Sequence, residues 1–231
     1  MNQPSTLWEN IAGRLPLEPT VAILGGTGDQ GMGLAYRLGA SGVPVLIGSR
    51  DQDRARAAAT AVGQGVSGMS NLEAAAKCDI GLVAVPWGGH ESLLRTMVEA
   101  LEGKIVIDCV NPLGFDKRGA FAIPVPEGSA AQQAQEILVG SVVVGAFHNV
   151  SAVVLLDRQR VEVRSDVLVL GDVRGATDVV CALADRIPGM RGVYAGRLRN
   201  CGQAEALTAN LISINRRYKS HAGIRITDLP R

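Results

Sequence analysis

The stretch TVAILGGTGDQGMGLAYRL, Thr20 to Leu38, passes from an apolar strand to a helix through a turn crowded with glycines. Within it, Gly26-Thr27-Gly28-Asp29-Gln30-Gly31 satisfies the spacing G-x-G-x-x-G. Few structures need so bare a turn. Gly26 permits a tight exit from the strand, Gly28 lets backbone approach a pyrophosphate, and Gly31 lets helix and strand pack closely. The helix N-terminus adds unpaired N–H donors and a partial positive charge. Tight packing with no ligand would use the same glycines. The position of the turn, after a strand and at the start of a βαβ unit, points instead to a dinucleotide.

The rest of the chain repeats that unit. VPVLIGS (43–49), GVSGMS (65–70), DIGLVAVP (79–86) and KIVIDCV (104–110) read as strands. DQDRARAAATAV (51–62), NLEAAAK (71–77) and HESLLRTMVEAL (90–101) read as helices. Continuous rather than alternating apolar strands fit a sheet covered on both faces. The expected fold class is therefore α/β, a Rossmann-type doubly wound parallel sheet with a smaller C-terminal extension. After Asn111 the rhythm loosens. Residues 111–129 read as a Gly/Pro-rich loop, followed by helix 130–138, strands 141–147 and 166–172, helix 175–187 and a final helix over 207–220. The expected division is an N-terminal extension (1–18), a nucleotide-binding domain (19–150) and a smaller C-terminal part (151–231).

The tip of the second strand selects the nucleotide. An NAD site usually places Asp or Glu there, to hold the ribose 2′-hydroxyl. Here the tip reads Gly48-Ser49-Arg50, with Arg54 one helical turn further on. A hydroxyl and two guanidiniums suit a 2′-phosphate through charge-assisted bonds, and Thr27 offers another hydroxyl. The expected ligand is NADP(H). Solvated arginines at a helix start are the plain alternative. Asp51 and Asp53 suit the first turn of a helix. Asp29 is a carboxylate beside a phosphate pocket, expected to point away or to cap the helix.

Composition closes off other classes. Formal net charge is +1 and aromatics are 3% of the chain, which gives no footprint for nucleic acid. No apolar run is long enough to span a bilayer, and the first residues lack a basic-then-apolar signal pattern. Cys78, Cys109, Cys181 and Cys201 are scattered and read as reduced thiols of a cytoplasmic protein, not as a disulfide frame or a metal site.

The segments ILGGTGDQGMGLAYRL, IGSRDQDRA, CDIGLVAVPW, GAFHNVSA and LRNCGQAEALTANL together resemble the NADPH-dependent coenzyme F420 (deazaflavin) reductase family. The nucleotide half is also similar to the cytosolic domain of membrane metalloreductases. The resemblance implies an NADP-dependent oxidoreductase, a homodimer, that transfers a hydride between NADP(H) and the deazaflavin. It places Thr27, Ser49, Arg50 and Arg54 at the 2′-phosphate, and Val85-Pro86-Trp87 near the nicotinamide. His148, Asn149 and Val150 fall in a segment that flanks the deazaflavin, with residues 151–231 helping to form that cleft. No role carries over to His90, whose spacing departs from the family pattern. His148 is the candidate catalytic residue, able to hydrogen-bond the deazaflavin or help move its ring-nitrogen proton; its plain alternative is a histidine that closes a strand onto its neighbour. Asn111-Pro112 reads as a turn beside the cleft, residues 206–215 as core or pocket wall, and Cys109 and Cys201 as buried small hydrophobes. Two other functions share the front half: an NADP-dependent imine or carbonyl reductase, which needs a proton donor, and a non-catalytic NADP(H) sensor.

Overall fold

The computed structural model describes residues 11–229. The expected N-terminal extension lies mostly outside them. Its described end forms a short helix, α1 (Ile11–Arg14), whose Ile11 is buried in the main core rather than resting on the surface.

Four strand–helix units and a fifth strand follow in the expected rhythm: β1 (Val21–Leu24), α2 (Asp29–Ala40), β2 (Val45–Ser49), α3 (Gln52–Val62), β3 (Ser67–Ser70), α4 (Asn71–Lys77), β4 (Ile80–Val83), α5 (His90–Arg95) and β5 (Ile105–Asp108) bring the chain to a hairpin, β6 (Leu113–Asp116) and β7 (Gly119–Ala122). The second part holds α6 (Ala130–Ile137), β8 (Val142–Gly145), α7 (Ala152–Leu156), β9 (Ser165–Gly171), α8 (Arg174–Asp185), β10 (Met190–Gly196) and α9 (Cys201–Tyr218). One eight-stranded sheet runs β10-β9-β8-β5-β4-β1-β2-β3. From β3 to β8 its strands are parallel, in the order 3-2-1-4-5-6 of the dinucleotide fold. β9 joins β8 antiparallel and carries β10 parallel to itself, so the sheet continues unbroken into the C-terminal part.

The central strands are buried along their whole length. In β1, Val21 and Ile23 enter one core cluster while Ala22 and Leu24 enter the other. That two-residue alternation gives the sheet two apolar faces, each covered by helices. Local chemistry starts the helices on time. Asp51 caps α3 by accepting from the Asp53 and Arg54 N–H groups, and Ser70 with Glu73 forms a reciprocal capping box on α4.

Several sequence expectations are corrected. The segment 111–129 is not all loop: the Asp116 carboxylate accepts the Arg118 and Gly119 N–H groups at 2.7 and 3.1 Å and closes the β6–β7 hairpin, with Gly119 at φ +127°. α5 stops at Arg95, where the Thr96 hydroxyl bonds back to the Leu93 carbonyl. α9 starts six residues earlier than expected, and α7 and β10 were not foreseen. No helix among the described residues is long and apolar enough to cross a membrane.

Candidate functional site

A cavity of about 430 Å³ opens along the carboxyl edge of the sheet. The glycine turn (Gly28–Gly31) lines one end, Val85 and Pro86 after β4 the middle, and His148–Ala152 with α9 the other end. This is where open α/β sheets bind ligands.

The turn is built for close approach. A Cβ on Gly26 would lie 2.7 Å from the Ile23 carbonyl oxygen, and one on Gly31 would lie 2.5 Å from Gly26 Cα. A Cβ on Gly28 would meet nothing within 4 Å, so there the space is open on the cavity side. Gly28 is also the N-cap of α2, and no side chain caps that helix. Asp29 therefore does not cap it; it is the exposed first helical residue and stands in the cavity wall. The uncapped helix end and the open space over Gly28 fit a pyrophosphate.

At the tip of β2, Ser49 is buried and its oxygen accepts the Asp51 N–H at 3.2 Å, which leaves the hydroxyl hydrogen free to donate. Arg50 and Arg54 are both exposed. The nearby carboxylates are engaged elsewhere: Asp51 caps α3, Asp53 pairs with Arg56 at 3.1 Å, and Glu73 closes the α4 box. The tip therefore presents a hydroxyl and two guanidiniums that these acids do not neutralise, a set suited to a phosphate. Thr27 is half-buried in the glycine turn.

The far end centres on His148. Asn111 Nδ2 donates to the His148 carbonyl at 3.0 Å, which sets the amide so that Asn111 Oδ1 faces His148 Nδ1 at 3.1 Å. The Thr208 hydroxyl donates to the same carbonyl at 2.9 Å, and Cys201 Sγ lies 3.7 Å from Nε2. Both ring nitrogens are thus occupied, and burial pushes the His148 pKa down to about 4. The ring is neutral near pH 7, its one N–H on Nδ1 and donated to Asn111 Oδ1. Gln30, from the glycine turn, donates to the Phe147 carbonyl at 3.3 Å and ties the two ends of the cavity together. Phe147 is fully buried at φ +64°, an arrangement held by its surroundings. Asn149 donates to the Asp166 carbonyl at 2.7 Å, while its buried Oδ1 has no partner among the described residues. Val150 lines the cavity beside it.

Trp87 is placed apart from these residues. It is partly buried against the core, its ring centroid 5.4 Å from that of His90. His90, given no role from sequence, is fully buried. Its Nε2 lies 2.6 Å from Asp108 Oδ2, and its Nδ1 lies 2.9 Å from Gln133 Oε1. Burial opposes its charge, but the Asp108 carboxylate outweighs that and raises its pKa. The pair ties α5 to the end of β5.

Behind His148, the buried Glu205 accepts the Ala130 and Ala131 N–H groups at 2.9 and 3.2 Å. His148, Cys201 and Glu205 offer ligand atoms within 4.8 Å of one another, a spacing that could hold a metal, although hydrogen bonds already engage all three. Burial raises the Glu205 pKa to about 7. A raised carboxylate pKa means that the folded state binds the proton more tightly, so stability falls as pH rises from 4.5 to about 7. His148 has the opposite sign: lowered from 6.5 to about 4, it makes stability rise over that interval. Glu205→Gln removes only the first effect. The melting temperature of this variant is expected to climb more steeply than that of the wild type between about pH 4.5 and 6.5; parallel curves would contradict the assignment.

Sequence reasoning left Asn111 as a plain turn, and the structure puts it in the cavity wall clasping His148. Thr208, Leu211, Ile212 and Asn215 line the wall as the pocket reading of 206–215 suggested. Ala222, beyond the last helix, was not foreseen, because nothing in its local sequence marks it.

The family model for coenzyme F420-dependent NADP oxidoreductase matches residues 20–112. The chain is 39% identical over 222 residues to the F420-dependent NADP reductase of Methanothermobacter marburgensis, covering 91% of this chain and 99% of that one. It is likewise 39% identical over 222 residues to the enzyme of the same name from Methanocaldococcus jannaschii, covering 90% and 98%. A crystal structure assigned to an F420-dependent NADP reductase of Arthrobacter sp. FB24 superimposes with a TM-score of 0.78 at 24% identity, over 90% of this chain and 98% of that one; at that identity it supports the fold alone.

Proposed function

The chain belongs to the F420-dependent NADP reductase family, and from that premise we propose that it transfers a hydride between NADP(H) and the deazaflavin coenzyme F420. The observation that carries this reading is the single cavity bounded at one end by the glycine turn and at the other by His148–Ala152. Two ligands whose reacting carbons must approach to roughly 3–3.5 Å need one shared space.

The cofactors supply the chemistry, a hydride passing between nicotinamide C4 and deazaflavin C5. The protein binds, orients and excludes water. The α2 N-terminus and open Gly28 hold the pyrophosphate; Ser49, Arg50, Arg54 and Thr27 hold the 2′-phosphate; Val85 and Pro86 border the nicotinamide. Asn149, Val150 and α9 border the second ring. His148 positions that wall through its clamped carbonyl. We read it as a positioning residue rather than as the acid that a carbonyl reductase needs, a reading supported by its two engaged nitrogens and by the burial that lowers its pKa.

The protein acts as a homodimer. This is supported by Phe115 and Phe121, exposed on the β6–β7 hairpin, and by Ile214 and Tyr218, exposed on the α9 helix against which that hairpin packs. We place it in the cytoplasm, in keeping with four free cysteines, three of them buried.

The test is to mix the protein with NADPH and oxidised deazaflavin and follow deazaflavin absorbance. Decay is expected with NADPH and much slower decay with NADH. NADPH binding without any decay would favour a nucleotide sensor.

A further inference from the structure

Beyond Tyr218 the chain leaves α9 through Lys219, at φ +51°, and runs back along the cavity toward β9. Ala222 stands in the cavity wall, and its N–H donates to Asn215 Oδ1 at 2.6 Å; Asn215 is itself a wall residue of α9. Gly223 passes so close to β9 that a Cβ there would lie 2.9 Å from Ser165 Oγ and 3.1 Å from Ser165 Cβ. The Ile224 carbonyl accepts the Asp166 N–H at 2.7 Å, and the Ile226 N–H donates to Asp166 Oδ2 at 2.7 Å. Arg225 closes the arrangement, donating to Asp166 Oδ1 at 3.0 Å and to the Gly189 carbonyl at 2.9 Å.

Asp166 joins these contacts to the site. Its side chain is fully buried, and Arg191 also grips it, at 3.1 and 2.6 Å. Burial works to raise its pKa, but the bonds from Arg191 and Ile226 and the charge of Arg225 hold it below the usual value. Its backbone carbonyl accepts from Asn149, inside the cavity. One residue of β9 thus fastens both the C-terminal segment and the far wall of the cavity, at the end away from the glycine turn.

We propose that residues 221–226 are a strap that forms one wall of the deazaflavin subsite, and that Arg225, by latching the strap to Asp166, is a positioning residue for the deazaflavin and not for NADP(H). This rests on the hydride-transfer reading above. A latched strap presents a formed wall, whereas an unlatched one must be ordered on binding at the ligand's expense.

Arg225 suits the test because its side chain is half-exposed and Arg191 keeps the Asp166 carboxylate paired without it. Arg225→Ala is expected to raise the KM for deazaflavin about tenfold, with kcat at saturation and the NADPH dissociation constant close to wild type. Arg225→Lys, which keeps the charge, recovers part of the loss. Gly223→Ala, which pushes the strap off Ser165 by steric contact alone, shifts the same KM in the same direction. An unchanged deazaflavin KM in Arg225→Ala and Gly223→Ala would overturn the proposal, as would a parallel loss of NADPH affinity. Wild-type turnover separates the two levels: turnover with unaffected variants sinks the strap alone, whereas wild-type protein that neither binds nor reduces deazaflavin sinks the hydride-transfer reading and the strap with it.

Discussion

Arg50→Asp is expected to lower kcat/KM for NADPH on the order of 100-fold while changing kcat/KM for NADH by only a few-fold. A hydrogen bond to a charged group contributes about 1.5–3 kcal/mol, and each 1.4 kcal/mol is about a factor of ten. The substitution removes such a bond and sets a like charge beside the phosphate. NADH carries no 2′-phosphate and loses nothing there. The effect is expected to be large because the neighbouring carboxylates are engaged elsewhere: Asp51 in its cap, Asp53 with Arg56, Glu73 in its capping box. Arg54 remains one turn away, so Arg50→Asp combined with Arg54→Ala should bring the two nucleotides near parity. Both guanidiniums are exposed, so the preference should shrink with added salt. An NADPH/NADH ratio unchanged in Arg50→Asp would remove the tip of β2 as the selector. Steady-state kinetics with each nucleotide at fixed ionic strength provides the check.

Arg37→Leu is expected to lower the melting temperature by roughly 10 °C. Arg37 is 5% exposed, an unusual burial for arginine. Its guanidinium donates to the carbonyls of Leu155 (2.8 Å), Arg160 (2.7 Å), Val154 (3.1 Å) and Asp157 (2.6 Å). These carbonyls lie at the end of α7 and just beyond it, where a helix leaves its last acceptors unpaired. Breaking a buried charged network from one side costs about 3–5 kcal/mol, and here the carbonyls of the buried Val154 and Leu155 would be abandoned out of reach of water. In a chain of this length each kcal/mol moves the midpoint about 2–4 °C. Lysine does not substitute, since it lacks the planar fork that reaches four acceptors. The bond set also has a functional side. α2 begins at the phosphate turn and α7 follows the His148–Ser151 segment, so Arg37 holds the helices behind both ends of the cavity together. A Gly33 Cβ would lie 2.6 Å from Leu155 Cβ, which shows how closely those helices pack. A shift under about 2 °C would mean that water replaces the guanidinium without loss.

The nucleotide end of the site was legible because its physics is local. Gly26, Gly28 and Gly31 act through their own backbone, and Ser49-Arg50 is read as a departure from an expected carboxylate at a known place on one strand. The parallel, doubly wound sheet followed from continuous apolar runs alternating with alanine-rich helices. The far end was legible only through resemblance. His148 is a lone histidine in sequence; burial keeps its ring neutral, and it is held in place by Asn111, Thr208 and Cys201, which are 37, 60 and 53 residues away. Arg37 reads as a polar residue on an amphipathic helix, and nothing local shows that its four acceptors come from the segment 117 to 123 residues later. The hairpin at 113–122 was hidden because glycine and proline mark loops and tight hairpins alike, and only the Asp116 side-chain bonds separate the two. The C-terminal strap carries no periodicity at all; its position is set by one buried carboxylate on β9.

The central claim is that one cavity brings two ring systems together for direct hydride transfer. A single turnover with NADPH dideuterated at C4 and oxidised deazaflavin in ordinary water tests it most directly, read by mass spectrometry of the reduced product. One deuterium at C5 of the deazaflavin is the expected result. Reduced deazaflavin without deuterium, or deuterium released to water, would contradict the account.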